Sequence, residues 1–138
     1  MNATDLMIGD WVMTGIDIAQ VAAIDERGIY VDDPIYTCLV HVDFRFVKPI
    51  LLTGEILEKN EFELKLRDEF GDGVYLINQD MCRYKIWILK NYDITVYFDK
   101  KGKKFSIEID WNNIEHFLYV HELQHALRLC KIEKEIKL

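Results

Sequence analysis

The residues best suited to chemistry lie in "YVHELQHAL", positions 119–127, where His121, Glu122 and His125 form a His-Glu-x-x-His pattern. On a helix, positions four apart share a side, so both imidazoles could approach one Zn²⁺ at about 2.0–2.1 Å while Glu122 polarises a metal-bound water. Leu123, Gln124, Ala126 and Leu127 are uncharged, as suits a helix backed against its metal. The chemistry indicated is zinc-assisted peptide hydrolysis, with His121 and His125 as metal ligands and Glu122 as the catalytic base.

A catalytic zinc also needs a third protein ligand and an open position for water. The extended form of the motif asks for Gly at 128 and His at 131, where this chain has Arg128 and Lys131. Glu133 and Glu135 lie just beyond the same helix and would have to fold back through a tight reversal. If the helix extends back to His116, that residue sits about 140° away from His121 around its axis, and His41 could join only through tertiary packing. The helical wheel offers a simpler account. Val120, Leu123, Leu127 and Cys130 form an apolar stripe, and His121, Gln124, His125 and Arg128 fall on the opposite, solvated face. Any buried polar member, His121 or Gln124, must then find a partner near the helix start. The expectation is no cofactor, with zinc as the alternative.

Other chemistry-bearing residues point less far. Lys100, Lys101, Lys103 and Lys104 in "DKKGKK" suit a solvated hairpin tip, and a formal net charge of −7 opposes a broad phosphate-binding surface, so nucleic acid is not the expected partner. The acidic excess is N-terminal: residues 1–52 hold eight acids against three bases, whereas 111–138 hold four of each. Cys38, Cys82 and Cys130 are odd in number and lack C-x-x-C spacing, which predicts buried thiols in a reducing compartment. Trp11, Trp87 and Trp111 read as packing residues at sheet edges. With no membrane-spanning run and no signal-peptide pattern at "MNATDLMIGDW", the expected location is the cytoplasm.

The elements that must position these residues follow from periodicity. From "IGDWVM" to "RFVKPI", short β-prone runs alternate with turn signals at Gly9-Asp10, Gly15, Arg27-Gly28 and Asp32-Asp33-Pro34. This predicts a small, bent β unit of the SH3-like barrel type over residues 1–52. "LTGEILEKNEF" predicts a short helix capped by Thr53, with Glu55 in its first turn, Ile56 and Leu57 inward, and an end near Asn60. "FELKL", "GVYLIN", "YKIWILK", "DITVYFD" and "FSIEIDW" read as strands, and "TVYFDKKGKKFSIEI" as the clearest hairpin. Its alternation places Ile94, Val96 and Phe98 on one face and likewise Phe105, Ile107 and Ile109. Asn112 and Glu115 in "NNIE" resemble a capping box opening a C-terminal helix that covers this sheet.

At "MIGDWV", "KPILLTGEILEKNEFE", "YVHELQHAL" and the closing "EKEI", the chain resembles a family of small proteins frequent in Bacteroidetes and their prophages. That family has no established activity, so the resemblance implies no catalytic residues. Its members commonly show Asn at the position of His125 and often Gln at that of Glu122, which implies a structural "YVH-x-LQ" segment. This chain departs from the family pattern in ending "LCKIEKEIKL".

The expected fold is thus one α+β domain, 1–138: a barrel-like β unit over 1–52, then over 53–138 a short helix, a curved antiparallel sheet and a C-terminal helix across it. The expected function is a non-enzymatic interaction or accessory role with a protein partner and no membrane, and the alternative is a small zinc-dependent metallopeptidase.

Overall fold

The computed structural model describes residues 1–15, 17–33, 35–65, 84–109 and 112–138, with backbone only for 112–115. It is a mixed α+β structure whose sheets are antiparallel. The chain divides into two compact units, Met1–Leu51 with Tyr119–His125, and Leu52–Leu118 with Ala126–Leu138. Strands "GVYLIN", Cys82 and Trp111 lie outside the described residues.

In the first unit, β1 (Trp11–Met13), β2 (Ile18–Ile24), β3 (Gly28–Asp33), β4 (Cys38–Asp43) and β5 (Lys48–Pro49) form a sheet in the order β4-β3-β2-β1-β5. Short acidic side chains make its turns. Asp25 Oδ1 accepts the Arg27 and Gly28 N–H groups between β2 and β3, and Asp33 Oδ1 accepts those of Ile35 and Tyr36 between β3 and β4. Gly28 is required by proximity: a Cβ there would stand 2.1 Å from the Val42 carbonyl oxygen across the β3–β4 ladder. Alternation sends Val12, Val21, Ile29 and Val31 inward with Leu6 and Val47, each fully buried aliphatic contributing about 1.5–3 kcal/mol. The expected barrel does not close. β4 pairs with β3 and β5 with β1, and β5 is only two residues long, its Pro49 lacking the N–H that a further ladder would use.

In the second unit, α1 (Gly54–Lys59) starts and stops as expected. Thr53 Oγ1 accepts the Ile56 N–H at 3.3 Å, Glu55 occupies the first turn, and Leu57 is fully buried. Gly54 allows the close approach of Trp87, whose Cζ2 would stand 2.7 Å from a Cβ. The helix ends with Glu61 at φ 69°, the Phe62 N–H bonded to Leu57 O and the Glu61 N–H to Glu58 O, a Schellman ending without glycine.

β6 (Glu63–Leu64), β7 (Tyr84–Leu89), β8 (Ile94–Asp99), β9 (Lys104–Ile109) and β10 (Asn112–Phe117) form an antiparallel sheet ordered β10-β9-β8-β7-β6. The expected β8–β9 hairpin forms, with Asp99 opposite Lys104, and Val96, Ile107, Ile94 and Ile109 are buried. Phe105 gathers the aromatic core, its ring centroid 4.8 Å from Phe98, 5.8 Å from Phe117 and 6.2 Å from Trp87. Asn112–Glu115 does not open a helix: this stretch pairs with β9 as β10, where ladder bonds satisfy the backbone that a cap would otherwise serve. His116 stands at a bulge in β10 with φ 65°, so it is not on the C-terminal helix.

That helix, α2, runs Val120–Leu129. Its residues to His125 belong with the first sheet and those from Ala126 with the second unit, which corrects the expectation of a helix lying wholly across the second sheet. It too ends in a Schellman turn, with Lys131 at φ 58° and the Ile132 N–H bonded to Leu127 O. The segment beyond it docks on α1. The buried Asn60 side chain accepts the Lys137 N–H and donates to the Lys137 carbonyl, both at 2.7 Å, and Ile136 is buried. Lys134 adds an ion pair with Glu61. Among the described residues no helix is long and apolar enough to cross a membrane.

Candidate functional site

The first turns of α2 and the turn leading into β1 build a polar cluster inside the first unit. That turn runs from Met7 to Asp10: the Asp10 N–H reaches Met7 O, and Gly9 at φ 89° supplies the left-handed step. Asp10 is fully buried. Its Oδ2 accepts the Met7 N–H at 2.7 Å and faces His125 Nε2 at 2.6 Å. A carboxylate oxygen can only accept, so the hydrogen of that bond is assigned to Nε2, which then offers no lone pair to a metal.

Gln124, also buried, uses both ends of its amide on the same turn. Its Oε1 accepts the Trp11 N–H and its Nε2 donates to Gly9 O, each at 3.0 Å. Glu122 serves its own helix: one carboxylate oxygen accepts the Tyr119 N–H at 2.9 Å, the reciprocal half of a capping box.

His121 is buried, stacked on Tyr119 with ring centroids 5.8 Å apart and edge-on to His125 at 5.6 Å. Its Nδ1 is buried without a hydrogen-bond partner. Burial holds the His121 imidazole below its ordinary pKa, against the upward pull of Glu122, Asp10 and Asp5.

The expectation of a solvated polar face on this helix is therefore corrected. His121 and Gln124 are buried and His125 is partly so: Gln124 bonds to the backbone at Gly9 and Trp11, His125 meets the Asp10 carboxylate, His121 packs between the Tyr119 and His125 rings, and of that face only Arg128 is exposed. His121 and His125 do come together, their ring centroids 5.6 Å apart, but His125 is engaged by Asp10, and Glu122 turns a carboxylate oxygen to the Tyr119 N–H. Among the described residues, no three His, Cys, Asp or Glu side chains group as metal ligands. Glu133 and Glu135 are exposed, and His41 pairs with Asp25 on β4.

Sequence reasoning missed Asp10. It was legible only as half of a Gly-Asp turn signal, where aspartate normally faces water. Lys100, Lys101, Lys103 and Lys104 are exposed at the β8–β9 turn. Cys38 is exposed rather than buried, because β4 stands at the edge of its sheet, and Cys130 is partly buried. Trp87 is a core residue, with its Nε1 donating to Glu58. Known protein families, curated proteins and solved structures give no match to this chain.

Proposed function

We propose that this protein is a non-enzymatic interaction or accessory protein of the cytoplasm that engages another protein through its N-terminal unit. One observation carries the reading: large apolar side chains are exposed together along the β3–β4 hairpin, Ile35 at 80%, Tyr36 at 74%, Leu39 at 52% and Val40 at 39%. The polar side chains of the His-Glu-Leu-Gln-His stretch support it from the other side, since three of them bond to backbone or to Asp10 within their own unit. The strand order β4-β3-β2-β1-β5, with a 3-10 turn at Phe44–Phe46 before β5, supports an SH3-like type for this unit. The resemblance to the Bacteroidetes and prophage family agrees with a role that needs no catalytic residues.

The test is cross-linking in the native cell, comparing the wild type with an Ile35→Ser, Tyr36→Ser double variant. The expected result is a partner linked to the wild type and depleted about fivefold or more in the variant. No cross-linked partner for either protein would overturn the reading.

A second reading, a zinc-dependent peptidase, draws on the unpartnered, buried Nδ1 of His121 beside the His125 ring. It requires about one zinc per chain in protein prepared without chelator or affinity tag, lost in His125→Asn, and hydrolysis lost in Glu122→Gln.

A further inference from the structure

Sheet edges are ordinarily blunted, by shortness, proline, lysine or a bulge, because their unpaired N–H and C=O groups otherwise template another strand. Three edges among the described strands are blunted in this way. β5 is two residues long and contains Pro49, β6 is two residues long, and β10 carries the bulge at His116. The fourth, β4, is not. It has six residues, none of them Lys or Pro, and its register with β3 runs unbroken from Asp33 opposite Cys38 to Gly28 opposite Asp43. Among the described strands it pairs with β3 alone, so alternate residues turn their backbone groups outward.

The side chains of β4 say what would lie beside it. Val40 and Val42 stand opposite Val31 and Ile29, on the face that carries the core, and Val42 packs against that core while Val40 stays substantially exposed. An added strand with apolar residues at this face would continue the core outward. Charge sets the rest: residues 25–43 hold Asp25, Glu26, Asp32, Asp33 and Asp43 against Arg27 alone. A second copy of the chain would bring the same acids to the same edge, and like charges across strands are unfavourable.

On the protein-interaction reading above, we infer that β4 accepts an extended segment of another protein as an additional strand. That segment presents apolar residues on the side of Val40 and Val42, and Lys or Arg on the other. Backbone bonding to the edge supplies affinity, and the acidic surroundings of β4 supply the preference for a basic strand.

The probe is a fluorescent peptide of alternating valine and lysine, about seven residues long to match β4, measured by anisotropy on the full chain. Saturable binding is expected, weakened about tenfold or more when glutamate replaces the lysines and likewise in Val40→Lys, which places a blunting charge on the edge. Independently of any variant, amides of 38–43 in the wild-type protein should exchange more slowly with peptide bound. Equal binding of both peptides, no binding, or unchanged exchange at 38–43 would overturn the assignment. So would self-association of the free protein that Val40→Lys abolishes, since a second copy would then hold the edge. A partner cross-linked in cells alongside a failed peptide would refute only the strand addition, whereas absence of both would refute the interaction reading as well.

Discussion

Two histidine–aspartate pairs in the first unit use the same chemistry in opposite surroundings. His125 Nε2 meets a fully buried Asp10 at 2.6 Å, whereas His41 Nε2 meets Asp25 at 3.3 Å where the aspartate side chain is 37% exposed. Around Asp10, the Met7 N–H and the imidazole converge on one buried carboxylate oxygen, Oδ2, so removing the carboxylate takes the partner from both at once. Around Asp25, water stands ready to substitute. The lesson is that the first pair fixes a helix to a turn, while the second only decorates a hairpin.

The comparison breaks most visibly at Asp10. Asp10→Ala should cost on the order of 3 kcal/mol in chemical denaturation, because it strands the Met7 N–H and the His125 ring. A cost near zero would show that the buried pair is as dispensable as the exposed one. Gln124→Ala should follow at about 2 kcal/mol, since the Trp11 N–H and Gly9 carbonyl lose their partners together.

His121 sharpens the contrast through pH. Its folded pKa is depressed by burial, so the unfolded chain takes up the proton first. Stability should fall as pH drops through about 6.5 and level off below the folded value. In His121→Phe the part of the slope that sets in as pH falls through about 6.5 should vanish from thermal melts; an unchanged slope would assign it elsewhere.

The smallest effect belongs to Asp25. The Arg27 and Gly28 N–H groups and His41 hold its carboxyl down to about 2, so its contribution is present above the ordinary aspartate range and lost as pH falls through about 2. Asp25→Ala should be slightly less stable at neutral pH and converge with the wild type in strong acid. Persistence of the difference at the lowest pH would point to turn geometry instead of charge.

Much of the frame is readable locally. Thr53, Glu55, Leu57 and Asn60 mark α1 because caps and inward faces are properties of neighbouring residues, and the β8–β9 hairpin declares its register through period-2 alternation. The start of α2 was not readable, since "NNIE" carries a plausible cap whose backbone is claimed by β9, a partner chosen by tertiary pairing. The site divides in the same way. That His121 and His125 share a helix side is local, but the engagement of His125 depends on Asp10, more than a hundred positions earlier. The burial of Gln124 likewise comes from the turn it bonds to and lies outside the reach of a helical wheel.

The first unit is discontinuous: it holds Met1–Leu51 and Tyr119–His125 but none of Leu52–Leu118, which intervenes. On the ribosome, its five strands emerge with Asp10 and the backbone at Gly9 and Trp11 still lacking His125 and Gln124. A nascent chain stalled anywhere before Tyr119 would carry that sheet unfinished, with its polar turn open to water and to chaperones. Closure would wait until α2 is made, so a sheet translated early would be completed only after the whole of Leu52–Leu118 had followed it.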